Sequence, residues 1–474
     1  MGLDVQGYYS LSWGIVSTLN KIARFGMLRG VVRFVVMERT QEAGQGERAV
    51  AMALHIVGAC SLVVSIGIYF SADAIALFYD KPIAPALRIM AFTAPFMAAC
   101  WVLISAIRAL RIVLYDVYVM SVAGPLILLL SGLVVGLLGG GLEGVAWSQL
   151  GMAIGISALA AYFFQRFFSL RVCLDHLRSR LAWREMALFS FPVMVTDLLY
   201  AVLTQLDVLM LGFFVSAEMV GIYALARRIA SLMLKAPQAF DPIFSSIVSE
   251  LAVGQRYGEL SARFRVLFRW ILTINLPIFA SLLIVGDLVL TLIGGEKMQA
   301  LPEMEIAAGI KVLLVLCVSM MLQGSFALAE PLLAMAGRPY LNFLNNIVWL
   351  AANFVLNIVL IHVYSLGTVG AAVGALLSTL LVNGLRMTQI YRQYAIWPFD
   401  VKQLKPLGAA TAAALGGAWV RGWLSEPVLA ALAALAVFAA LYSLVLWMLG
   451  LEEEDRKMVS KGYQFVDKKL WDKG

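Results

Sequence analysis

Long apolar stretches separated by short polar connections follow one another along almost the whole chain. Each stretch reaches about 20 residues, the length that an α-helix needs to cross a bilayer core of roughly 30 Å. The pattern predicts thirteen segments, at residues 10–37, 49–71, 86–110, 113–138, 142–169, 186–213, 218–249, 266–290, 306–334, 340–362, 368–394, 404–422 and 427–449. The runs do not alternate polar and apolar residues as membrane strands do. We therefore predict an all-α polytopic membrane protein.

The composition supports this prediction and removes other classes. Of the 474 residues, 62% are hydrophobic and 14% are charged, and the mean hydropathy is +0.87, whereas soluble domains have about 25% charged residues. The net charge of +7 does not indicate a nucleic-acid partner, because basic residues of membrane proteins collect in cytoplasmic connections. The four cysteines lack the spacing of a metal site, so we expect no metal and no cofactor.

Basic residues are concentrated in every second connection. This set, which the positive-inside rule places in the cytoplasm, contains Arg39, Arg48, Arg108, Arg111, Arg166, Arg171, Arg178, Arg180, Arg184, Arg256, Arg263, Arg265, Arg338, Arg386, Arg392, Lys402 and Lys405. The opposite set contains only Lys81, Lys297 and Arg421. The rule thus predicts an amino terminus outside the cell and a carboxy terminus in the cytoplasm.

The chain also contains an internal repeat. The stretch "GYYSLSWGIVSTLNK" at residues 7–21 aligns without a gap to "GIYALARRIASLMLK" at residues 221–235, at an offset of 214. The identical pairs are Gly7/Gly221, Tyr9/Tyr223, Leu11/Leu225, Ile15/Ile229, Ser17/Ser231 and Lys21/Lys235. A second similarity joins "GVAWSQLG" at 144–151 to "GAAVGALL" at 370–377. We interpret the chain as two pseudo-symmetric lobes of five and six helices followed by a helix pair, with one helix missing from the front.

This organisation divides the chain into five regions. We expect an amino-terminal lobe at residues 1–169, a basic cytoplasmic linker at 170–185, a carboxy-terminal lobe at 186–395, a helix pair at 396–450 and a cytoplasmic tail at 451–474.

Several stretches resemble the polysaccharide-flippase branch of the multidrug/oligosaccharidyl-lipid/polysaccharide exporter superfamily. They are "FPVMVTDLLYAVLTQLDVLMLGFF" at 191–214, the Gly-x-Tyr helix start at 221–223, "PIFSSIVSEL" at 242–251 and "FRWILTINLPIFASLLIVGDLVLTLIGG" at 268–295. The resemblance implies fourteen helices: two lobes of six helices around a central cavity, then a pair. The thirteen predicted segments fit this arrangement if the family's first helix is absent.

Basic residues within the two aligned helices are the candidate binding residues. A cation at the centre of a bilayer costs about 2.5–3.5 kcal/mol on insertion scales, so it usually faces water or protein. The candidates are Lys21, Arg24, Arg227, Arg228 and Lys235. We place Lys21 about eleven residues into its helix and expect it, with Lys235, to face the cavity. Arg29 and Arg33 lie nearer the predicted cytoplasmic end of the segment. We expect them to extend to lipid headgroups instead of facing the cavity.

Acidic residues in the segments have two possible roles. Asp197, Asp207 and Asp241 either pair with an arginine or couple transport to protons or sodium, and Asp116 and Glu330 present the same alternatives. Pro237 and Pro242 are expected to kink or break their helix.

Other polar and aromatic residues are assigned structural roles. We expect interhelical hydrogen bonds, rather than sugar binding, from Asn342, Asn345, Asn346, Asn353 and Asn357. We interpret Tyr9, Trp13, Trp101, Trp147, Trp349 and Trp397 mostly as anchors at the membrane interface.

The predicted function is translocation rather than catalysis. The chain has neither a Walker A sequence nor a nucleophile–base pair, so no enzyme activity is expected. The resemblance implies a flippase of the cell inner (cytoplasmic) membrane, whose substrate is a polyprenyl-diphosphate-linked oligosaccharide and whose other partners are membrane lipids and polysaccharide-assembly proteins. The alternatives are a multidrug or cation-coupled antiporter of the same fold, and a polymerase or ligase of the same pathway. A polymerase or ligase would need a large outer loop, which the sequence lacks.

Overall fold

The computed structural model describes residues 2–40, 46–110, 112, 114–169, 171–173, 183–299, 302–335 and 338–450. Ten helical stretches in these ranges are long and apolar enough to cross a membrane, which makes this a multi-pass membrane protein. Residues 174–182 of the predicted linker and the predicted tail after residue 450 lie outside the described residues.

Each of the thirteen predicted segments corresponds to one helix or to two consecutive helices. The helices are Leu3–Arg24, Met27–Thr40, Glu47–Tyr79, Ala84–Ala91, Thr93–Ala109, Leu114–Asp116, Gly124–Leu138, Gly141–Phe164, Trp183–Phe214, Ala217–Ala230, Lys235–Val253, Tyr257–Gln299, Glu303–Ser325, Ala329–Met335, Pro339–Asn357, Gly367–Tyr394, Leu404–Arg421 and Pro427–Met448. Shorter π-helical stretches lie at Val117–Ala123 and Ile358–Val363, and 3₁₀ turns lie at Ser231–Leu234 and Val401–Gln403.

The first predicted segment is broken where we expected a continuous helix. Phe25 and Gly26 both have positive φ, at 46° and 67°, and they end the helix Leu3–Arg24. That helix begins at Leu3, not near residue 10, and it ends at Arg24. Lys21 therefore lies in its last turn. The predicted depth of Lys21, about eleven residues into a continuous helix, is therefore wrong.

The break in the seventh segment lies ahead of the prolines that were expected to cause it. The 3₁₀ turn Ser231–Leu234 separates two helices, and the second of them, Lys235–Val253, contains both Pro237 and Pro242. Pro237 is the third residue of this helix, where a proline is tolerated because the amide has no partner within the helix in the first turn. Position 242 remains helical, so the helix does not break there, and a kink at Pro242 stays a prediction.

By packing, the chain forms two compact units. Residues 1–224 and 357–371 form the first unit, and residues 225–356 and 372–474 form the second. The first contains an apolar cluster around Met27, Val50 and Ile104. The predicted division into lobes at residues 169 and 186 stays a prediction.

The second unit contains the predicted carboxy-terminal helix pair. Helices Leu404–Arg421 and Pro427–Met448 pack against each other and against Tyr257–Gln299. Ala409, Ala413 and Ala434 are buried in this contact, and small residues allow helices to approach closely where lipid supplies no hydrophobic driving force.

Candidate functional site

The two aligned helices touch at the glycines that the sequence pairs. A Cβ built on Gly7 would overlap the carbonyl oxygen of Ala217 and lie 3.1 Å from the backbone nitrogen of Gly221. A Cβ built on Gly221 would overlap the carbonyl oxygen of Leu3 and lie 3.1 Å from the backbone nitrogen of Gly7. Leu3 and Ala217 are themselves 214 residues apart. The contact is therefore reciprocal, as a two-fold relation between the aligned stretches requires.

The paired serines make the same local bond. The Ser17 hydroxyl donates to the carbonyl of Gly14 at 3.3 Å, and the Ser231 hydroxyl donates to the carbonyl of Arg228 at 2.7 Å. Gly14 and Arg228 are again 214 residues apart. Such bonds from a serine to a preceding carbonyl favour bending of a helix. Both stretches therefore contain the same bend-favouring hydrogen bond near their basic residues.

Lys21 and Arg24 lie together in the last turn of Leu3–Arg24, where the helix dipole favours positive charge. Both are half-buried. Asp197, on the helix Trp183–Phe214, is close enough to attract both cations. The structure thus brings these two predicted binding residues together with one of the predicted coupling carboxylates.

Trp101 faces this cation pair, which corrects its interpretation as an interfacial anchor. The guanidinium of Arg24 lies 4.7 Å from the centre of the Trp101 ring, and that of Arg108 lies 5.9 Å away. Arg108 forms an ion pair with Asp116 at 3.1 Å. Among the described residues, the buried indole N–H of Trp101 has no hydrogen-bond partner. An aromatic face stabilises nearby cations by electrostatic attraction, so Trp101 supports the arginines.

The cations of the second aligned helix are more accessible. Arg227 is half-buried, while Arg228 and Lys235 are exposed, as is Asp241. Charged side chains at these positions need water, headgroups or protein partners. That Lys21 and Lys235 share one cavity stays a prediction.

Asp207 is buried, with 6% of its surface exposed, and both of its oxygens accept hydrogen bonds. The Tyr223 hydroxyl donates to Oδ2 at 2.9 Å, and the side-chain amide of Asn357 donates to Oδ1 at 2.9 Å. Both donors are neutral, and within the described ranges no basic side chain forms an ion pair with Asp207. The sequence analysis singled out Asp207 and Asn357 separately but did not connect them, because 150 residues lie between them.

Glu330 forms an ion pair with an arginine, which is one of the two roles expected for it. The partner is Arg386, which the charge pattern had assigned to a cytoplasmic connection. Arg386 lies inside the helix Gly367–Tyr394 with 5% of its surface exposed. Its guanidinium lies 3.2 Å from Glu330 Oε2 and donates to Asn346 Oδ1 at 2.9 Å. The assignment of Arg386 to a loop is therefore wrong, since its partners allow it to stay buried.

The predicted interhelical hydrogen bonds of the asparagines are confirmed. Asn345 and Gln389 exchange two side-chain bonds, at 2.8 and 2.9 Å. Asn353 donates to the Ser378 hydroxyl at 3.2 Å, and Asn342 donates to the carbonyl of Glu330 at 2.7 Å. These bonds join the helix Pro339–Asn357 to its neighbours and occupy the amides that a sugar would otherwise need.

Of the other five aromatic residues interpreted as anchors, two are exposed, two are buried and Trp13 is half-buried. Trp147 and Trp397 are 59% and 48% exposed, as expected of interfacial residues. Tyr9 and Trp349 are buried, so their assignment as anchors is wrong. The Tyr9 hydroxyl instead donates to Gln149 Oε1 at 3.3 Å.

Cysteine and metal chemistry adds nothing to the site. Cys60, Cys100, Cys173 and Cys317 are all free thiols. Within the ranges that the structure describes, no three His, Cys, Asp or Glu side chains come together as metal ligands.

Comparisons with known proteins agree with this fold. The model of a family described as polysaccharide biosynthesis protein matches residues 7–301, which is more than half of the chain. A probable flippase, AglR of Haloferax volcanii, is 29% identical over 206 residues, which are 43% of this chain and 40% of that protein. The match thus spans less than half of this relative's length.

Solved structures share the architecture. An inward-facing multidrug resistance MATE family transporter of the MOP superfamily superposes with a TM-score of 0.73 at 14% identity, over 83% of this chain and 91% of that one. The lipid II flippase MurJ, in an inward closed conformation, superposes with a TM-score of 0.66 at 12% identity, over 94% and 97%. At these identities the similarity shows the fold alone, which is the fold of polytopic transporters of this type.

Proposed function

Because the chain belongs to the polysaccharide biosynthesis protein family, we propose that it is a flippase for a lipid-linked oligosaccharide or polysaccharide precursor. The two lobes, residues 1–169 and 186–395, would expose the substrate site to each side of the membrane in turn, and no covalent step is involved. The similarity to a probable flippase and the fold shared with a lipid II flippase support this proposal. The product would enter the assembly of a lipopolysaccharide or an exopolysaccharide.

The observation that carries the proposal is the recurrence of cations in the two aligned stretches, residues 7–21 and 221–235, and just beyond them. Lys21 and Lys235 occupy the same alignment position, and Arg24 and Arg228 lie within two turns of them. Lysine and arginine bind phosphate oxygens through charge-assisted hydrogen bonds. We therefore propose a polyprenyl-diphosphate-linked saccharide as the substrate, with its diphosphate at these cations and its lipid tail in the bilayer.

We propose Asp207 as the residue that couples transport to a cation gradient. A buried carboxylate that is held by two neutral donors can take up a proton or a sodium ion without first breaking an ion pair. Asp197 is less suited, since it already lies beside Lys21 and Arg24. Replacement of Asp207 by Asn should remove the dependence of transport on the gradient, whereas the same change at the exposed Asp241 should not. A gradient dependence that is unchanged in Asp207→Asn would contradict this assignment.

The second candidate function is a multidrug or cation-coupled antiporter. It is favoured by the fold shared with a MATE family transporter and by the carboxylate of Asp207, whose hydrogen-bond donors are neutral and which forms no ion pair within the described part of the chain. The two functions differ in the sign of the substrate. Cations at the site attract a diphosphate and repel the cationic amphiphiles that a drug exporter would carry.

Complementation of a flippase-deficient strain tests the proposal at Lys235. Loss of one charge-assisted contact costs about 1.5–3 kcal/mol, so Lys235→Ala should weaken substrate binding by roughly tenfold to a hundredfold and reduce surface polysaccharide. Lys235→Arg should be tolerated, and Lys235→Glu should be the most severe. Arg256→Glu is a matched control, because Arg256 is exposed and pairs with Glu259 at 2.6 Å. If Lys235→Glu complements as well as the parent at equal abundance, the anionic substrate is excluded.

We propose that the protein lies in the inner membrane of the cell and that its carboxy terminus lies in the cytoplasm. Single cysteines at Ser216 and Gly367 should react with an impermeant reagent from outside, and cysteines at Arg180 and Gly258 only after permeabilisation. Ser216 is exposed, so its replacement by cysteine is accessible to the reagent. Labelling of position 216 from the inside alone would reverse the orientation. Other polysaccharide-assembly proteins are the proposed partners.

A further inference from the structure

A basic cavity of about 200 Å³ lies in the second unit, and no residue of the two aligned helices is among its lining residues. It is bounded by the first turns of the helix Tyr257–Gln299 and by the 3₁₀ turn Val401–Gln403. Its charged lining consists of Arg265, Arg269, Lys402 and Asp400. Three basic groups face one carboxylate, so the lining as a whole favours an anion.

The two arginines are placed to act on one ligand. Arg265 and Arg269 are one helical turn apart, so they lie on the same face of their helix. Arg269 has 5% of its surface exposed and Arg265 is half-buried. Arginine presents a planar fork of donors that matches phosphate oxygens. Gln403, which is also buried, lines the cavity too, and its side-chain amide donates to the carbonyl of Pro398.

An apolar cavity of about 310 Å³ lies in the same unit, next along the chain. Its lining includes Phe326, Met387, Trp397 and Phe399. Phe399 is followed directly by Asp400 of the basic cavity. The Phe399 ring also lies 5.7 Å from the ring of Phe268, which precedes Arg269. The segment 397–403 thus lines both cavities. Trp397 and Phe399 line the apolar cavity, and Asp400, Lys402 and Gln403 line the basic one.

The segment has the properties of a membrane interface. Trp397, Phe399 and Val401 are 48%, 47% and 77% exposed, although all three are apolar. Tryptophan and other aromatic residues are enriched at the level of lipid headgroups. The neighbouring cations are among those that the positive-inside rule places on the cytoplasmic side, where anionic lipids attract basic residues.

We propose that the two cavities together bind one anionic phospholipid of the bilayer. Its phosphodiester would contact Arg265, Arg269 and Lys402, and one acyl chain would lie along Phe399 and Trp397. A free phosphate ion would use only the basic cavity, so the apolar cavity lined by the same segment favours a lipid. Three basic groups against one carboxylate attract a headgroup of net negative charge more strongly than a zwitterionic one. This site is independent of the transported substrate.

Lipid binding to the purified full chain can be measured by native mass spectrometry. With added phosphatidylglycerol and phosphatidylcholine of equal chain length, the parent should retain phosphatidylglycerol preferentially. Lys402→Gln should weaken that binding about fivefold, and Arg265→Gln by a similar factor, since each basic residue near an anionic surface contributes on this scale. Lys402 is exposed, so its replacement leaves the core packing intact.

Two controls make the result decisive. Arg263→Gln removes an exposed cation from the same helix but outside the cavity lining, and it should leave lipid binding unchanged. Soluble glycerol 3-phosphate should not displace the lipid at equal concentration. The proposal is overturned if both lipids bind equally, if Lys402→Gln binds as the parent does, or if glycerol 3-phosphate competes fully, which would indicate a site for free anions.

Discussion

The two aligned stretches begin alike and then diverge. Both start as helices, both use a glycine for their mutual contact, and both carry a serine bonded to the carbonyl three residues earlier. Their breaks, however, do not correspond. Phe25 and Gly26 would align with residues 239 and 240, which lie inside the helix Lys235–Val253. A repeat in sequence therefore preserves the contact between the helices but not the place where each helix bends.

The two breaks have different causes. Gly26 has positive φ, and a Cβ there would overlap the carbonyl of Ser190 and lie 2.8 Å from the nitrogen of Met194, so only glycine allows this approach. The equivalent position holds Phe240, which cannot replace it. In the second stretch Pro237 has no N–H to donate to the carbonyl of Met233, and the 3₁₀ turn lies just before it.

The paired tyrosines have also acquired different partners. Tyr9 donates to a neutral amide, Gln149, whereas Tyr223 donates to a carboxylate, Asp207. The same side chain at the same alignment position thus supports packing in one stretch and holds a proposed coupling residue in the other.

The largest expected effect comes from the shared glycine contact. Gly7→Val and Gly221→Val should each lower the free energy of unfolding by about 3 kcal/mol or more, because the added atoms would overlap backbone that cannot rotate away. Gly67→Ala is the control: no atom lies within 4 Å of its Cβ, and it should be neutral or slightly stabilising. Thermal unfolding in detergent measures both. A Gly221→Val protein as stable as the parent would show that the helices do not touch there.

The next effect should come from the break at Gly26. Gly26→Ala should cost about 2–3 kcal/mol, since it adds a clash with the Ser190 carbonyl to the strain of positive φ. Gly139 has a similar φ of 68° but open space around its Cβ, so Gly139→Ala should cost only about 1 kcal/mol. Equal losses in the two variants would mean that backbone strain alone sets the break.

A smaller difference should separate the paired tyrosines. Hydrogen bonds to charged groups contribute about 1.5–3 kcal/mol and neutral ones about 0.5–1.5, so Tyr223→Phe should destabilise the protein more than Tyr9→Phe. Denaturation of the two variants in detergent measures both losses. Identical losses would contradict a stronger hydrogen bond at Asp207.

The smallest effect concerns the paired lysines. A double-mutant cycle of Lys21→Ala and Asp197→Ala should give a coupling energy of about 1 kcal/mol, because the two side chains attract each other. Lys235 is exposed, so Lys235→Ala should change stability by less than about 0.5 kcal/mol while it impairs transport. A coupling energy of zero between Lys21 and Asp197 would remove the expected difference between Lys21 and Lys235 in their contribution to stability.

The sequence by itself determined the properties that depend on neighbouring residues. Hydropathy located helices in all thirteen predicted segments, and ten helical stretches of the described residues are long and apolar enough to cross a membrane. A helix in a membrane is specified by the residues within it. The ungapped alignment predicted that Gly7 corresponds to Gly221, and the asparagines of Pro339–Asn357 were recognised as interhelical donors. In each case the signal lay in the type and spacing of the residues themselves.

Only the tertiary structure decided which distant groups meet. It joined Asp207 to Asn357, placed Arg386 beside Glu330, and turned Trp101 from a predicted anchor into a neighbour of Arg24. Hydropathy cannot distinguish a charged residue in a loop from one that is buried with a partner, because the cost of burial is cancelled by a group far away in sequence. The break at Gly26 follows the same rule, because it depends on the approach of the helix Trp183–Phe214, whereas the turn before Pro237 has a local cause in the missing N–H of that proline.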